Sequence, residues 1–370
     1  MILLTVAFCL WLAYAALIAF YRRGWQRSPE ATAMAPAAGI PVTVLVPARN
    51  EAERLPALLA ALSAQQYDRG LFSVLVLDDH STDNTAAVAR NAGGNVSVLS
   101  LDAAAQGKKR AIEAGVKAAA GSLIVTTDAD CVPGPHWLPL LVAQHTAGYS
   151  AFIAAPVRYR DPQTVSSIFQ ALDFMTLQGI TAASVSTGVH SMCNGANLAY
   201  TKEAFEAVDG YRGVDRLASG DDLFLMHKIA LRYPGRVHYL RHRDAIVDTD
   251  AAPGWRAFWK QRVRWASKSA HYTDRRITAA LALVYFFNLW FLVLAIAGFW
   301  NTDNWTGTLV LLLLKTVVEL WFLAPVARFF GQQHLLQWFP LLQPLHIIYT
   351  VAVGALSSFG TYEWKGRRVK

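Results

Sequence analysis

The chain has 370 residues, a formal net charge of +8, 54% hydrophobic side chains and only 16% charged ones, where an ordinary soluble domain carries roughly 25% charged residues. The shortfall is concentrated at the N-terminus and in the last quarter, so a wholly soluble protein is excluded, and three cysteines are too few and too scattered for a disulfide framework. The densest basic stretch (Arg256, Lys260, Arg262, Arg264, Lys268, Arg275, Arg276) directly precedes an apolar segment and reads as a cytoplasmic membrane flank rather than a nucleic-acid footprint.

Residues 2–21 are apolar and uncharged, and Arg22, Arg23 and Arg27 follow them. A signal peptide has the opposite polarity, with its positive charges first. The expected organisation is an uncleaved N-terminal transmembrane helix at 1–21, a linker at 22–40 and a cytoplasmic domain at 41–250. An interfacial amphipathic helix follows at 251–276, and then a membrane region of three apolar segments at 277–370. Within the soluble stretch, short β-rich runs at 42–46, 72–77, 96–101 and 123–127 alternate with helical patterns at 51–65, 82–92 and 108–120. Ser81 or Thr82 is the expected cap of the second of these helices. The alternation predicts an α/β fold with a mainly parallel sheet, whose ligands bind at the carboxyl ends of the strands. A further strand is expected at 152–159, and a helix at 162–187 whose single charge is Asp173.

The last quarter splits into apolar segments at 277–300, 307–330 and 335–359. Lys315 and Glu319 sit inside the second at i, i+4 spacing, where mutual pairing and a role near an acceptor path are both open. Three full crossings would place the basic tail 365–370 outside, against the positive-inside tendency. Pro340 and Pro344 interrupt the last segment and leave a re-entrant path open.

Asp78, Asp79, Asp128 and Asp130 all fall at predicted strand ends. Like charges repel, so folding alone does not favour gathering them, whereas a divalent cation and a phosphate-bearing substrate do. Asp128-Ala-Asp130 presents two carboxylates after an apolar strand and is the expected metal pair, with Mg²⁺ or Mn²⁺ as the ion. Asp78 and Asp79 suit the N–H and hydroxyl donors of a nucleoside. Asp83 reads instead as a helix-start acid. Lys108 follows Gly107 at a helix start, where a cation and free N–H groups both meet phosphate. Asp221 and Asp222 are adjacent carboxylates, and such pairs raise one another's pKa, which suits a base. Gln261, Arg264 and Trp265 share one helix face at i, i+3 and i+4. Arg264 suits a diphosphate, and Trp265 offers a flat apolar surface. Cys131, Cys193 and His190 lack the paired spacing of a zinc site.

In this order the motifs resemble the membrane-bound family 2 glycosyltransferases, inverting enzymes with an A-type nucleotide-sugar fold. The residues that carry the resemblance are Val44-Leu-Val-Pro-Ala-Arg-Asn-Glu51, Val76-Leu-Asp-Asp-His-Ser-Thr-Asp-Asn-Thr85, Gly107-Lys-Lys-Arg-Ala-Ile112, Thr127-Asp-Ala-Asp-Cys131, the Asp221-Asp222 pair and Gln261-Arg-Val-Arg-Trp265. The resemblance implies donor contacts from Pro47, Arg49, Glu51, Asp78, Asp79, Lys108, Asp128 and Arg264. It implies metal ligation by Asp130 and Asp128, with Asp130 the direct ligand, and Asp222 as base beside Asp221. Acceptor contacts are implied for Asn194, Gly195, Gln261 and Trp265. The implied partners are a nucleoside-diphosphate sugar, taken as a UDP-sugar, and a membrane lipid acceptor at a bacterial cytoplasmic membrane. A processive polysaccharide synthase is the alternative, although about four apolar segments strain a polymer channel. A non-catalytic nucleotide-binding subunit is the second alternative. A nicotinamide dehydrogenase requires G-x-G-x-x-G after the first strand, where Pro47-Ala-Arg-Asn-Glu51 stands instead.

Overall fold

A computed structural model describes residues 1–28, 30, 39–103, 105–214, 220–268, 272, 274–357, 362–364 and 367–369. The heart of the expected linker (29 and 31–38), the end of the interfacial segment (269–271), positions 358–359 of the last apolar segment and tail residues 365, 366 and 370 lie outside the described residues. The chain divides into two compact units. One comprises Ser28–Arg160 and Ser184–Asp250, and the other Met1–Arg27, Asp161–Ala183 and Ala251–Lys370.

The first unit is built on β1 (Val42–Ala48), β2 (Phe72–Asp78), β3 (Val96–Ser100) and β4 (Leu123–Thr126), which pair in parallel in the order β3-β2-β1-β4. β4 is buried along its whole length and β1 at every position but Pro47, as a sheet covered on both faces requires. The short strands β5 (Val132–Pro133), β6 (Phe152–Ala154), β7 (Val157–Tyr159), β8 (Leu198–Thr201), β9 (Val237–Tyr239) and β10 (Val247–Thr249) complete the unit. β8 enters antiparallel between β4 and β6, so the main sheet reads β3-β2-β1-β4-β8-β6-β9, and β5, β10 and β7 form a second, three-stranded sheet. The α/β class with a mainly parallel sheet is borne out. The chain leaves β1 toward β2 on one side and returns through β4 on the other, and such a switch point opens a crevice beyond the strand ends.

Local chemistry moves several element boundaries from their expected places. The first helix runs Leu55–Ser63 rather than from 51, because Pro56 fits only a first helical turn. The next runs Thr85–Asn91. Asn84, not Ser81 or Thr82, stands at its N-cap, and Asp83 braces the helix start by accepting from the Thr85 N–H at 3.0 Å and from its hydroxyl at 2.5 Å. The strand expected at 152–159 breaks at Pro156, which lacks an N–H for the ladder, and its two halves enter different sheets.

The second unit holds the helices Ile2–Arg27, Val165–Ser186 (up to Ala183), Gly254–Ala266, Arg275–Ala297, Asp303–Phe330 and Phe339–Ser357. Asp161–Ala183, which the sequence places within 41–250, groups here. Among the described residues, four helical stretches are long and apolar enough to cross a membrane: Ile2–Arg27, Arg275–Ala297, Asp303–Phe330 and Gln333–Leu356. Tyr21 lies against Phe322 and Trp25 against Phe329, so the N-terminal helix and Asp303–Phe330 run in one direction. Tyr14 stacks on Phe287 and the Trp290 indole donates to the Leu3 carbonyl at 3.1 Å, so Arg275–Ala297 runs the other way. Arg22, Arg23, Arg27, Arg275, Arg276 and Arg328 therefore gather at one end of this bundle. Lys315 pairs with Glu319 at 2.7 Å and donates to the Gln343 carbonyl at 2.6 Å. The Gln343 amide and the Tyr14 hydroxyl both donate to the Glu319 carboxylate. Mutual pairing thus accounts for these two charges. About three turns beyond Gln343, Gly354 packs on Tyr285, two residues from the Phe287 that stacks on Tyr14. The last helix meets the bundle at one level in both places and so runs across it obliquely.

Candidate active site

The carboxyl ends of β1, β2 and β4 bring the first set of expected residues together. Pro47 lies within β1 opposite Leu77, and Asp78 is the last residue of β2. The turn after β1 is stitched to the loop after β2. Arg49 donates to the Asp79 carbonyl at 3.0 Å, Asn50 accepts from the Thr82 N–H at 2.8 Å, and the Glu51 N–H donates to the Thr85 hydroxyl at 2.8 Å. Asp78 and Asp79 are buried. Asp78 accepts from the Ser81 N–H at 3.2 Å and Asp79 from the Gly107 N–H at 3.1 Å. The second contact fixes the start of the helix Lys108–Ala118, which Gly107 enters at φ 93°, a conformation that favours glycine.

From that start the Lys108 side chain reaches across the crevice. Its ammonium lies 2.6 Å from Asp128 Oδ1 and 3.5 Å from Asp221 Oδ2. Burial opposes its charge, but Asp128 and then Asp221 outweigh burial and hold its pKa above the ordinary lysine value. Asp221 and Asp222 open the helix Asp221–Arg232. Asp222 accepts from the Gly195 N–H at 3.2 Å and from the Leu223 N–H at 2.8 Å. Asn194 turns its side-chain oxygen to the Ala196 N–H at 2.9 Å, closing the turn that presents Gly195. A Cβ on Gly195 would stand 2.9 Å from Lys108 Nζ and 3.5 Å from Asp221 Oδ2, so the glycine leaves the room the lysine uses.

Asp130 is crowded by negative charge. Burial first, then Asp128 and Glu51, push its carboxyl pKa up, and Arg54 opposes them. Among the described residues, no group of three or more His, Cys, Asp or Glu side chains is placed to hold a metal ion by itself. Asp130, crowded by negative charge, and Asp128, two residues before it and already drawing the Lys108 cation, nevertheless fit the protein share of a Mg²⁺ or Mn²⁺ site, whose remaining ligands come from substrate phosphates and water.

Two further residues hold this arrangement. Asn197 is fully buried. It donates to the Pro156 and Ala245 carbonyls at 2.8 and 2.9 Å and accepts from the Trp137 indole at 2.8 Å, which anchors the segment after Gly195. Lys109 is buried and donates to the Val214 carbonyl at 2.5 Å. Adjacent lysines thus leave the helix start in different directions. The second Asn of Asn194-Gly-Ala-Asn197 and the doubled lysine are visible in the sequence, but their roles are not.

Gln261, Arg264 and Trp265 belong to the other unit, on the helix Gly254–Ala266, with the expected i, i+3 and i+4 spacing. Arg262, inside the same motif, is the residue sequence reasoning missed. It is 2% exposed, pairs with Asp173 at 2.6 Å, and lies 4.1 Å from the Trp265 ring centre and 4.9 Å from that of Phe258. The only charge on the 162–187 helix, Asp173, was the available signal. Trp265 also tilts against Phe174.

Comparison with known proteins accords with this geometry. The chain is 34% identical over 100 residues to Glycosyltransferase AglE of Haloferax volcanii, a match covering 26% of this chain and 33% of that one. It is 34% identical over 125 residues to an undecaprenyl-phosphate 4-deoxy-4-formamido-L-arabinose transferase of Pseudomonas fluorescens, covering 32% and 35%. These matches span only about a third of each relative's length. Among solved structures, the mannosyltransferase PcManGT of Pyrobaculum calidifontis, determined with GDP-Man and Mn²⁺, superposes with a TM-score of 0.63 at 22% identity, over 93% of this chain and 99% of that one, and shares the fold. The Glycosyl transferase family 2 profile matches residues 43–208, the stretch from β1 to just beyond β8 that supplies Lys108, Asp128 and Gly195, and the chain has the A-type glycosyltransferase fold.

Proposed function

We propose that the protein is an inverting glycosyltransferase that moves a sugar from a nucleoside-diphosphate sugar to a hydroxyl of a membrane lipid, with a divalent ion. The observation that carries this reading is the convergence of Asp128, Asp221 and Asp222, far apart in sequence, around Lys108 and Gly195 beyond the strand ends. Asp78 and Asp79, with Pro47, Arg49 and Glu51 beside them, recognise the nucleoside side of the donor. Asp222 takes the proton of the acceptor hydroxyl as its oxygen attacks the anomeric carbon. The bond to the diphosphate breaks, the nucleoside diphosphate leaves with the electron pair, and the configuration inverts. Asp221 keeps Lys108 beside the base. Lys108 meets the departing diphosphate. An ion held by Asp128 and Asp130 would supply charge neutralisation for that leaving group. Asn194 and Gly195 border the acceptor opening. Gln261, Arg264 and Trp265 keep the roles the family resemblance implies, Arg264 toward diphosphate and the other two toward acceptor.

Four apolar helices and a relative named for an undecaprenyl-phosphate substrate support a membrane lipid as acceptor. The arginines gathered at one bundle end support a cytoplasmic orientation of that end in a bacterial inner membrane.

Purified protein incubated with labelled UDP- and GDP-sugars, Mn²⁺ and membrane extract is expected to give label that partitions into organic solvent. Asp222→Asn should lower turnover by about 10²–10⁴-fold while nucleotide binding persists. Undiminished transfer by that variant would refute the base assignment. Label retained as high-mass polymer would refute the lipid acceptor in favour of a processive synthase.

A further inference from the structure

We propose that Lys108 is the resident counter-cation of the donor site, competing with the divalent ion for Asp128 until a nucleoside diphosphate draws its ammonium away. This rests on the metal- and diphosphate-dependent transfer proposed above. The ammonium stands 2.6 Å from Asp128 Oδ1 and 3.5 Å from Asp221 Oδ2, so one positive charge ties the metal-side carboxylate to the carboxylate beside the base. The place is built rather than accidental. Gly195 has no side chain where a Cβ would come within 2.9 Å of Nζ. Asp79 grips the Gly107 N–H, and Lys109 is bonded to the Val214 carbonyl, so the helix start is anchored on both sides. Any displacement of Lys108 therefore occurs in its flexible four-carbon stem rather than in the helix.

Two consequences of opposite sign follow. Without nucleotide, an ion at Asp128 must share a carboxylate already paired with an ammonium and sit beside that ammonium, so Lys108 weakens ion binding. With a diphosphate present, the displaced ammonium gains phosphate oxygens, so Lys108 strengthens the joint binding of ion and nucleotide. Reciprocal coupling of this kind amounts to about 5–150-fold in affinity. It also ties Asp221 to donor occupancy: Asp221 is released from the lysine only once the diphosphate has arrived.

The test is titration of the full chain in detergent with Mn²⁺, following free Mn²⁺ by electron paramagnetic resonance, without nucleotide and with saturating UDP or GDP. Lys108→Gln should bind Mn²⁺ alone about tenfold more tightly than the unaltered chain and Mn²⁺ with nucleotide less tightly. Lys108→Arg, which keeps the charge, should restore both values. A misfolded variant would lose affinity under both conditions, so a gain in one cannot arise from damage. Unchanged or weaker binding of Mn²⁺ alone by Lys108→Gln overturns the proposal. A gain without nucleotide that is not reversed with nucleotide supports the counter-cation and overturns the diphosphate contact of the proposed function. Absence of Mn²⁺ binding by every variant under both conditions overturns both readings.

Discussion

Two clusters of charge in this protein, one buried and one partly exposed, differ in how their charges are balanced. In the helical unit, Lys315 and Glu319 supply one cation and one anion, and Gln343 and Tyr14 complete the Glu319 contacts. In the sheet-bearing unit, Glu51, Asp128, Asp130, Asp221 and Asp222 surround a crevice that the Lys108 ammonium bridges. A closed cluster satisfies itself and acts on the fold. An open one holds surplus charge of one sign, which costs stability unless a ligand of opposite sign arrives. The contrast separates a structural ion pair from a binding site.

Breaking each cluster should have opposite effects on stability. Glu319→Leu leaves the Lys315 ammonium buried without its anion and should cost about 3–5 kcal/mol, read as a lower unfolding midpoint in detergent. Lys315→Met combined with Glu319→Leu should recover most of that loss, because the two charges are then removed together. Failure of the double variant to recover would mean that the pair does more than satisfy itself. In the open cluster, Asp130→Asn should raise the midpoint at neutral pH in the presence of chelator. The sign follows from linkage. Folding raises the pKa of Asp130 above its usual 3.8, so the unfolded chain binds fewer protons in the interval between the two values. Stability of the unaltered protein therefore falls as pH rises through that interval, and the variant should lack this fall. A lower midpoint for Asp130→Asn would remove the surplus-charge account of the site.

The sheet and the acidic strand ends are legible in the sequence because they depend on local pattern. Apolar runs such as Leu123-Ile-Val-Thr126 alternate with helical spacing, and Asp128 and Asp130 follow directly. What stays hidden depends on partners distant along the chain. No local signal shows that β8 returns antiparallel beside β4, or that the strand after Pro156 joins a second sheet. Lys108 is readable as a cation at a helix start, but its bridge from Asp128 to Asp221 needs three separate segments. Arg262 reads as one more basic flank residue, because its burial depends on Asp173 on another helix. Side chains whose role is set by a non-local partner are the ones that composition and spacing misassign.

The smallest expected effect gives the finest test of how the open cluster is built. In Gly195→Ala the new methyl group would lie 2.9 Å from Lys108 Nζ, 3.5 Å from Asp221 Oδ2 and 3.8 Å from Asp222 Cβ. The tightest of these contacts is with the end of a flexible side chain, so the backbone keeps its place and the Gly195 N–H still reaches Asp222. Stability should change by less than about 0.5 kcal/mol. The methyl group should nevertheless push the ammonium off its two carboxylates. Affinity for Mn²⁺ alone is then expected to rise in the same direction as in Lys108→Gln but by less, about threefold, equivalent to about 0.6 kcal/mol. A change in stability without a change in ion affinity would show that Gly195 serves the turn at Asn194 rather than the space for Lys108. A gain in ion affinity at unchanged stability would tie the absence of a side chain there to the cation it accommodates.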